Sequence, residues 1–391
     1  MSAHGTPSDA ADSSLAALGV TARVRGVHHL SDGALAARVV GLSGPVGSRL
    51  ESQDALRRVA AVMQQTAALD DYAIGFRRDL SLPDDLPVMT LVDPETLARR
   101  RDHSIELSMS VDAHDVAMRP RRSVEAVDAA RVDGRRVCVR IGLDDLGPAV
   151  LPVVDPDVVI LRAEVVRRVG DPAVARLVQE MAAHLESSTA AVVAEGIDGD
   201  GDVDTAISLG AHYGVGAHFT AVRPIVRGSA FPLPRHRVPP GRDDRTPFGI
   251  VAATHRPRRG GKSLLEEMSR SLQAQATGSG SSCLLVRSTA DSCDLSHLSA
   301  RTWDGPSREV AISPVYGVRV PLVSAGRVAG DDGRAEWNVA VLGPHVCAAL
   351  TARLTEAAPD GGERFEFVQT YDRATVVAVV RAMLLAFDDT D

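Results

Sequence analysis

The chain has 391 residues, enough for two ordinary domains, each with its own core. Hydrophobic residues make up 45% and charged ones 24%, the balance of a globular protein, and a formal net charge of −8 argues against a broad basic face for duplex binding. Aromatic residues are 3% of the chain, too few for the stacking platforms that hold single-stranded nucleic acid.

Residues 1–20 are small and polar and read as a flexible N-terminal arm, with structure expected from about Thr21. Short β-branched runs then alternate with helical patterns. Arg136–Ile141 and Asp157–Leu161 read as strands. Between Asp171 and Ser187, apolar Val174, Leu177, Val178, Met181 and Leu185 recur at helical spacing. Ala190–Ala194 is apolar on both faces, the pattern of a parallel strand covered by helices, and Asp202–Leu209 reads as a helix. This β-then-α order predicts an α/β fold, and periodicity alone leaves a closed barrel and an open doubly wound sheet both open. Residues 225–247 hold Pro232, Pro234, Pro239 and Pro240 with several arginines and mark the boundary, because proline interrupts helices and ladders alike. Beyond it, Ser263–Gln275 reads as an amphipathic helix, Ser282–Val286 and Trp337–Leu342 as strands, Val346–Leu354 as a helix and Phe365–Val368 as a strand. Asp372 is placed to cap a last helix reaching about Phe387.

The cysteines Cys138, Cys283, Cys293 and Cys347 form no CxxC pair and no zinc set, and Cys138 and Cys347 are expected as buried thiols. No signal peptide and no run of about 20 apolar residues is apparent, so a cytoplasmic location is expected and membrane or nucleic-acid binding is not favoured. Gly260-Gly261-Lys262-Ser263 is a fragment of a phosphate loop: Arg256 stands where that loop needs a glycine, so a plain helix start, with Ser263 as its cap, is expected. Adjacent His28 and His29 face opposite sides of a strand and do not clasp one metal. No cofactor is implied.

Residues 21–224 carry a likeness to a known family. Val193-Ala194-Glu195-Gly196-Ile197-Asp198, then Leu209-Gly210 through Gly216 and Arg223-Pro224, resembles the late strands of the EAL-type cyclic di-GMP phosphodiesterase domain. Pro156–Arg162, Leu91-Val92-Asp93-Pro94, Ile105-Glu106-Leu107-Ser108 and the opening Ser31-Asp32-Gly33 resemble earlier segments of the same family. The resemblance implies a TIM-like (β/α) barrel whose metal-holding carboxylates sit at the carboxyl ends of strands. It also implies where those groups are missing. The signature glutamate falls on Val39, the ligand-gripping arginine on Ser43, the asparagine on Leu91, the lysine on Ile160, the following acid on Arg162 and the late glutamine on Val215. Glu106, Glu195 and Asp198 match. Asp144-Asp145 spells the family's paired aspartates, while spacing to Ile160 favours Arg140-Ile141 as their equivalent. Each lost donor aimed at developing charge costs about 3–4 kcal/mol in the transition state.

Residues 248–388 resemble the DICT sensory domain, through Glu336-Trp337-Asn338-Val339 to Pro344 and Phe365 to Arg373. The two resemblances together imply an EAL-type barrel followed by a smaller α/β sensory domain. Trp303, Glu336, Trp337 and Arg373 are the candidate sensory or partner contacts. The expected function is that of a bacterial pseudoenzyme in cyclic di-GMP signalling: the sensory domain changes the protein contacts of a barrel with no metal site and no catalytic residues. A protein partner, a homodimer through the barrel and a small-molecule ligand in the C-terminal domain are the expected partners. The alternatives are an inactive receptor for cyclic di-GMP or another nucleotide, and a residual metal-dependent phosphodiesterase.

Overall fold

The computed structural model describes residues 19–82, 86–100, 105–143, 147–219, 231, 246–278, 283–288, 336–355 and 363–386. Residues 1–18 of the expected arm, the 225–247 segment up to residue 245 apart from Phe231, and Asp144, Asp145, Cys293 and Trp303 lie outside this set.

Eight strands close a barrel: β1 (Thr21–His29), β2 (Leu35–Ser43), β3 (Val88–Val92), β4 (Leu107–Asp112), β5 (Arg136–Ile141), β6 (Val158–Leu161), β7 (Ala191–Glu195) and β8 (Tyr213–Val215). From β2 to β8 every neighbouring pair is parallel. β1 is the exception and runs antiparallel to both β2 and β8. The cause is local. Only five residues join β1 to β2, and a parallel crossover needs a dozen or more. Ser31-Asp32-Gly33 belongs to this turn, with Gly33 at φ +73° and Asp32 accepting from the Ala34 amide. The reversal brings the N-terminal half of β1, with Arg23 and Arg25, to the end where the other strands finish.

Helices cover the barrel: α1 (Gln53–Val62), α2 (Thr66–Asp79), α3 (Pro94–Arg99), α4 (Ala113–Met118), α5 (Pro120–Val132), α6 (Gly147–Val154), α7 (Ala163–Arg167), α8 (Pro172–Glu186) and α9 (Asp200–Ser208). Strand alternation divides the side chains. On β5, Val137, Val139 and Ile141 join the outer core beneath the helices, while Cys138 faces the lumen between Arg136 and Arg140. The lumen is packed with Val39, Leu91, Ile160, Val193, Val215 and their neighbours, so it is a core and not a channel. At its lower end the Arg136 guanidinium lies over the Phe231 ring, 5.5 Å from its centre.

Past Pro247 come α10 (Pro247–Ala252), β9 (Arg258–Gly261), α11 (Lys262–Gly278), β10 (Leu284–Ser288), β11 (Glu336–Leu342), β12 (Cys347–Leu354), β13 (Arg364–Thr370) and α12 (Arg373–Leu385). The strands make one antiparallel sheet in the order β10-β11-β12-β13-β9. α11 covers one face, over Trp337, Val339 and Val341, while α10 and α12 cover the other, over Ala340 and Leu342. The outer side of α12 packs on the barrel through Val124, Ala149 and Val153, and Arg381 donates to Asp128 and to the Val153 carbonyl at 2.6 Å each.

One expected element is overturned. Val346–Leu354 was expected as a helix, and its alanines and leucines do favour one. Cys347–Leu354 instead pairs on both sides and forms the middle strand of the sheet, where burial of both faces overrides local propensity. Cys347 is accordingly half-buried, its thiol donating to the Tyr371 carbonyl at 3.1 Å, and not a core thiol. The helix at Gly260-Gly261-Lys262-Ser263 begins at Lys262, so Ser263 lies inside its first turn and does not cap it.

Trp337 is fully buried and meets Phe365 edge to face, with ring centres 6.0 Å apart. Trp337→Ala is expected to destabilise the chain by about 3–5 kcal/mol in denaturant unfolding; an unmoved midpoint would contradict the packing described.

Candidate functional site

The mouth of the barrel is the end where β2 to β8 finish, and its residues pair with one another. Arg140 closes the lumen column of β5 and is 5% exposed. Its Nη2 donates to Glu195 Oε2 at 2.7 Å and to Asp54 Oδ1 at 2.8 Å, and its Nη1 reaches Glu195 Oε1 at 3.3 Å. Burial alone would push this guanidinium down, but the two carboxylates outweigh it and hold it above the ordinary arginine range. Glu195 ends β7 and is 9% exposed. Asp54 comes from the first turn of α1. Arg162, just past β6, donates to Asp112 at the end of β4 at 2.9 Å and approaches Asp54 at 3.9 Å. Arg25 of β1 stands 4.0 Å from Glu195 and donates to Gln53. Three guanidiniums, of Arg25, Arg140 and Arg162, thus stand among the carboxylates of Asp54, Asp112 and Glu195.

The seats expected to be empty of chemistry are filled. Val39, Leu91, Ile160 and Val215 share one buried cluster in the lumen, with Val39 opposite Arg25 and Ile160 opposite Arg140 in the strand register. Ser43 at the end of β2 accepts from Arg23 at 3.1 Å and shares a hydrogen bond with Thr21. The Leu91 carbonyl accepts from Arg57, which is paired with the buried Asp70.

Glu195 and Arg162 therefore meet at one site, and Asp198 lies just beyond it. The Arg167 guanidinium beside Asp198, at 2.8 Å, and the Ala217 amide hold its carboxyl below the usual carboxylate range. Glu106 does not join them. It precedes β4 and pairs with Arg136 at the start of β5, at the opposite end of the barrel. Asp54, Asp112, Arg25 and the role of Arg140 are absent from the sequence reading as site residues. The available signal was weak: a charged residue at or beside the end of β4, β5, β6 and β7.

The surviving Glu195-Gly196-Ile197-Asp198 motif has a backbone explanation. Gly196 sits at φ +78°, and a Cβ there would lie 2.6 Å from that of Ala163. At Gly216 a Cβ would stand 2.0 Å from the Ile197 carbonyl oxygen. Gly196 is required by the turn that leads out of β7, and Gly216, just past β8, by the close approach of that turn. His28 stacks on Phe219 and His29 tilts against Tyr213, each a packing contact. Among the described residues no group of three or more His, Cys, Asp or Glu side chains is disposed to hold a metal ion.

Of the candidates in the C-terminal sheet, Trp337 is core. Glu336, expected as a sensory or partner contact, is 1% exposed and turned inward. It accepts from the Thr246 hydroxyl, the Phe248 amide and Asn338, and so anchors the start of α10. Arg373 donates to the Gly343 and Pro344 carbonyls, clamping the turn between β11 and β12.

No family model and no curated protein matches the chain. Solved structures do. Klebsiella pneumoniae BlrP1 in a manganese and cyclic di-GMP complex is 16% identical, covering 51% of this chain and 54% of its own, with a TM-score of 0.40. The Xanthomonas citri FimX EAL domain with cyclic di-GMP is 14% identical over 56% of this chain and 93% of its own, TM-score 0.40. Vibrio cholerae LapD, as a GGDEF-EAL fragment bound to cyclic di-GMP, is 12% identical over 55% and 58%, TM-score 0.41. The chain thus spans about half the length of the first of these. At such scores the likeness adds nothing to the barrel already traced from its strand pairing. No helix among the described residues is long and apolar enough to cross a membrane.

Two outcomes follow. Arg140→Ala leaves buried Glu195 without its countercharge and is expected to cost about 3–5 kcal/mol, while Arg140→Met combined with Glu195→Leu recovers most of that loss. Chemical unfolding of Arg140→Met, Glu195→Leu and the double variant, beside Arg140→Ala, measures both, and additive single and double changes would contradict the buried pairing. For Glu336, burial pushes the carboxyl up, and its hydrogen bonds offset only part of this. The folded state then holds the proton more tightly than the unfolded chain. The group's contribution is full below the ordinary glutamate range, about pH 4, and is lost as pH rises through the raised folded value. The stability of the native chain relative to Glu336→Gln should therefore fall as pH rises through that window. A difference independent of pH would contradict it.

Proposed function

We propose that the chain is a non-catalytic signalling protein, built from a degenerate EAL-type barrel and a C-terminal DICT-like sensory domain starting near residue 248. One observation carries this reading: the Arg140 guanidinium occupies the mouth and engages Glu195 and Asp54 on both sides. A carboxylate held by a buried guanidinium is not available to a hard cation, which needs several oxygen ligands at once. The apolar Val39, Leu91 and Ile160 supply neither ligands nor charge for phosphoryl transfer. The motif glycines serve the backbone, so their survival does not require turnover.

In this reading the sheet region receives a signal and the barrel passes it on by changing its contacts with a protein partner. The packing of α12 between sheet and barrel supplies the physical link, through Arg381 and the shared apolar contact. The residual enzyme and the inactive nucleotide receptor are tested together. Purified protein with manganese or magnesium and cyclic di-GMP is expected to give no linear product above background and the same trace as Glu195→Gln. Calorimetric titration of the same nucleotide is expected to give no saturable heat. Cleavage that Glu195→Gln abolishes overturns the proposal; tight binding without cleavage selects the receptor.

A further inference from the structure

The barrel closes on a short seam. β1 runs beside β2 from Thr21 to His28 but meets β8 only at His28 and His29, opposite Gly214 and Tyr213. Past Val215 the chain turns toward β7: Gly216 lies against Ile197, and the His218 amide donates to the Ile197 carbonyl at 3.0 Å. The mouth-side half of β1 therefore has no strand at its outer edge among the described residues.

The direction of its peptide groups follows from β2. The Arg38 amide donates to the Pro87 carbonyl and the Leu42 amide to the Gln53 side chain, so both point away from β1. Their register partners Gly26 and Ala22 point away from β2 in turn. So does Val24 between them, because peptide groups alternate in direction along a strand. Among the described residues no hydrogen bond reaches the amides or carbonyls of Ala22, Val24 and Gly26 on that side. All three residues are half-buried, and what Gly26 exposes is backbone alone, so the edge is open to contact. An unpaired row of N–H and C=O groups is the template on which a second extended chain adds as a strand.

The side chains beside the edge set what that chain carries. Alternate residues of a strand share a face, so Arg23 and Arg25 lie on the mouth side of β1, and Ala22 and Val24 on the outside. Arg25 stands 4.0 Å from Glu195 and donates to Gln53, while Glu195 is also held by Arg140, and Asp198 by Arg167. Arg23 is exposed, donates to the Ser43 hydroxyl and meets no carboxylate among the described residues. We propose that the open edge of β1 receives an extended peptide of a partner protein, in which an acidic residue facing Arg23 alternates with small or apolar residues beside Ala22 and Val24. The proposal rests on the signalling reading for its purpose and names the kind of protein that the barrel contacts. Nucleotide cleavage at the mouth would remove the signalling reading and leave the edge; failure of peptide binding would do the reverse.

The test is calorimetric titration of the full chain with the end-capped peptide STVEVTS and its charge-reversed counterpart STVKVTS. The acidic peptide is expected to bind saturably and the basic one at least tenfold more weakly, with Arg23→Glu reversing that preference. Methylating the two valine amides of STVEVTS, or instead its glutamate amide, is expected to have unequal effects, one abolishing binding and the other sparing it, because only one edge of an added strand faces β1. Val24→Pro removes an amide from the open edge, where proline is tolerated, and is expected to weaken binding at least tenfold while circular dichroism stays native. No saturable binding of STVEVTS overturns the proposal. So does an unchanged preference in Arg23→Glu, or equal effects of the two methylations. Self-association of the chain that Val24→Pro abolishes would also overturn it, by giving the edge to a second copy.

Discussion

The arrangement of the mouth depends on one buried charge. Arg140 is at the end of an otherwise apolar strand column and is desolvated, so it is tolerable only because Glu195 and Asp54 meet it. Removing Arg140 takes from Glu195 and Asp54 the guanidinium they share, and leaves Arg25 at 4.0 Å and Arg162 at 3.9 Å as their cations. The clasp fixes the exit of β7, the start of α1 and the top of β5 relative to one another. It also places a protein cation, permanently attached, among the carboxylates of the mouth. Arg162 with Asp112, and Arg25 beside Glu195, extend the same balance around the rim.

Beneath the clasp the lumen is mostly apolar, and its buried side chains give the closed sheet its inner core. Its lower end is closed by Arg136, which lies over Phe231 and pairs with Glu106. Backbone geometry then accounts for what remains of the motif. Gly196 and Gly216 are excluded from substitution by contacts of 2.6 and 2.0 Å that any Cβ would make. These glycines are held by backbone contacts, independently of the charged side chains in the mouth.

Much of the scaffold was legible from sequence. The Arg136–Ile141 strand, the helix after Asp171 and the Asp372 cap follow from local pattern, and the structure places them within a residue or two. Long-range pairing set the exceptions. β12 carries a helix-forming run, and only its two neighbours, one of them beyond a sharp turn at Gly343, make it a strand. β1 reads like any other strand, and its reversal depends on the length of the link that follows. The site was legible only in part. Arg140 meets Asp54 across 86 positions and Glu195 across 55, so no local spacing reveals the clasp. Glu106 matched a motif but sits at the wrong end of its strand. Glu336 was a candidate contact but is turned into the start of α10. Motif order located the barrel; the direction and depth of each side chain required the fold.

The most direct measurement is anomalous diffraction from crystals grown with manganese, collected near the metal's absorption edge. The account predicts no anomalous peak in the mouth, with the Arg140 guanidinium resting on Glu195 and Asp54. An ordered manganese coordinated by Glu195, with Arg140 displaced from it, would contradict the account.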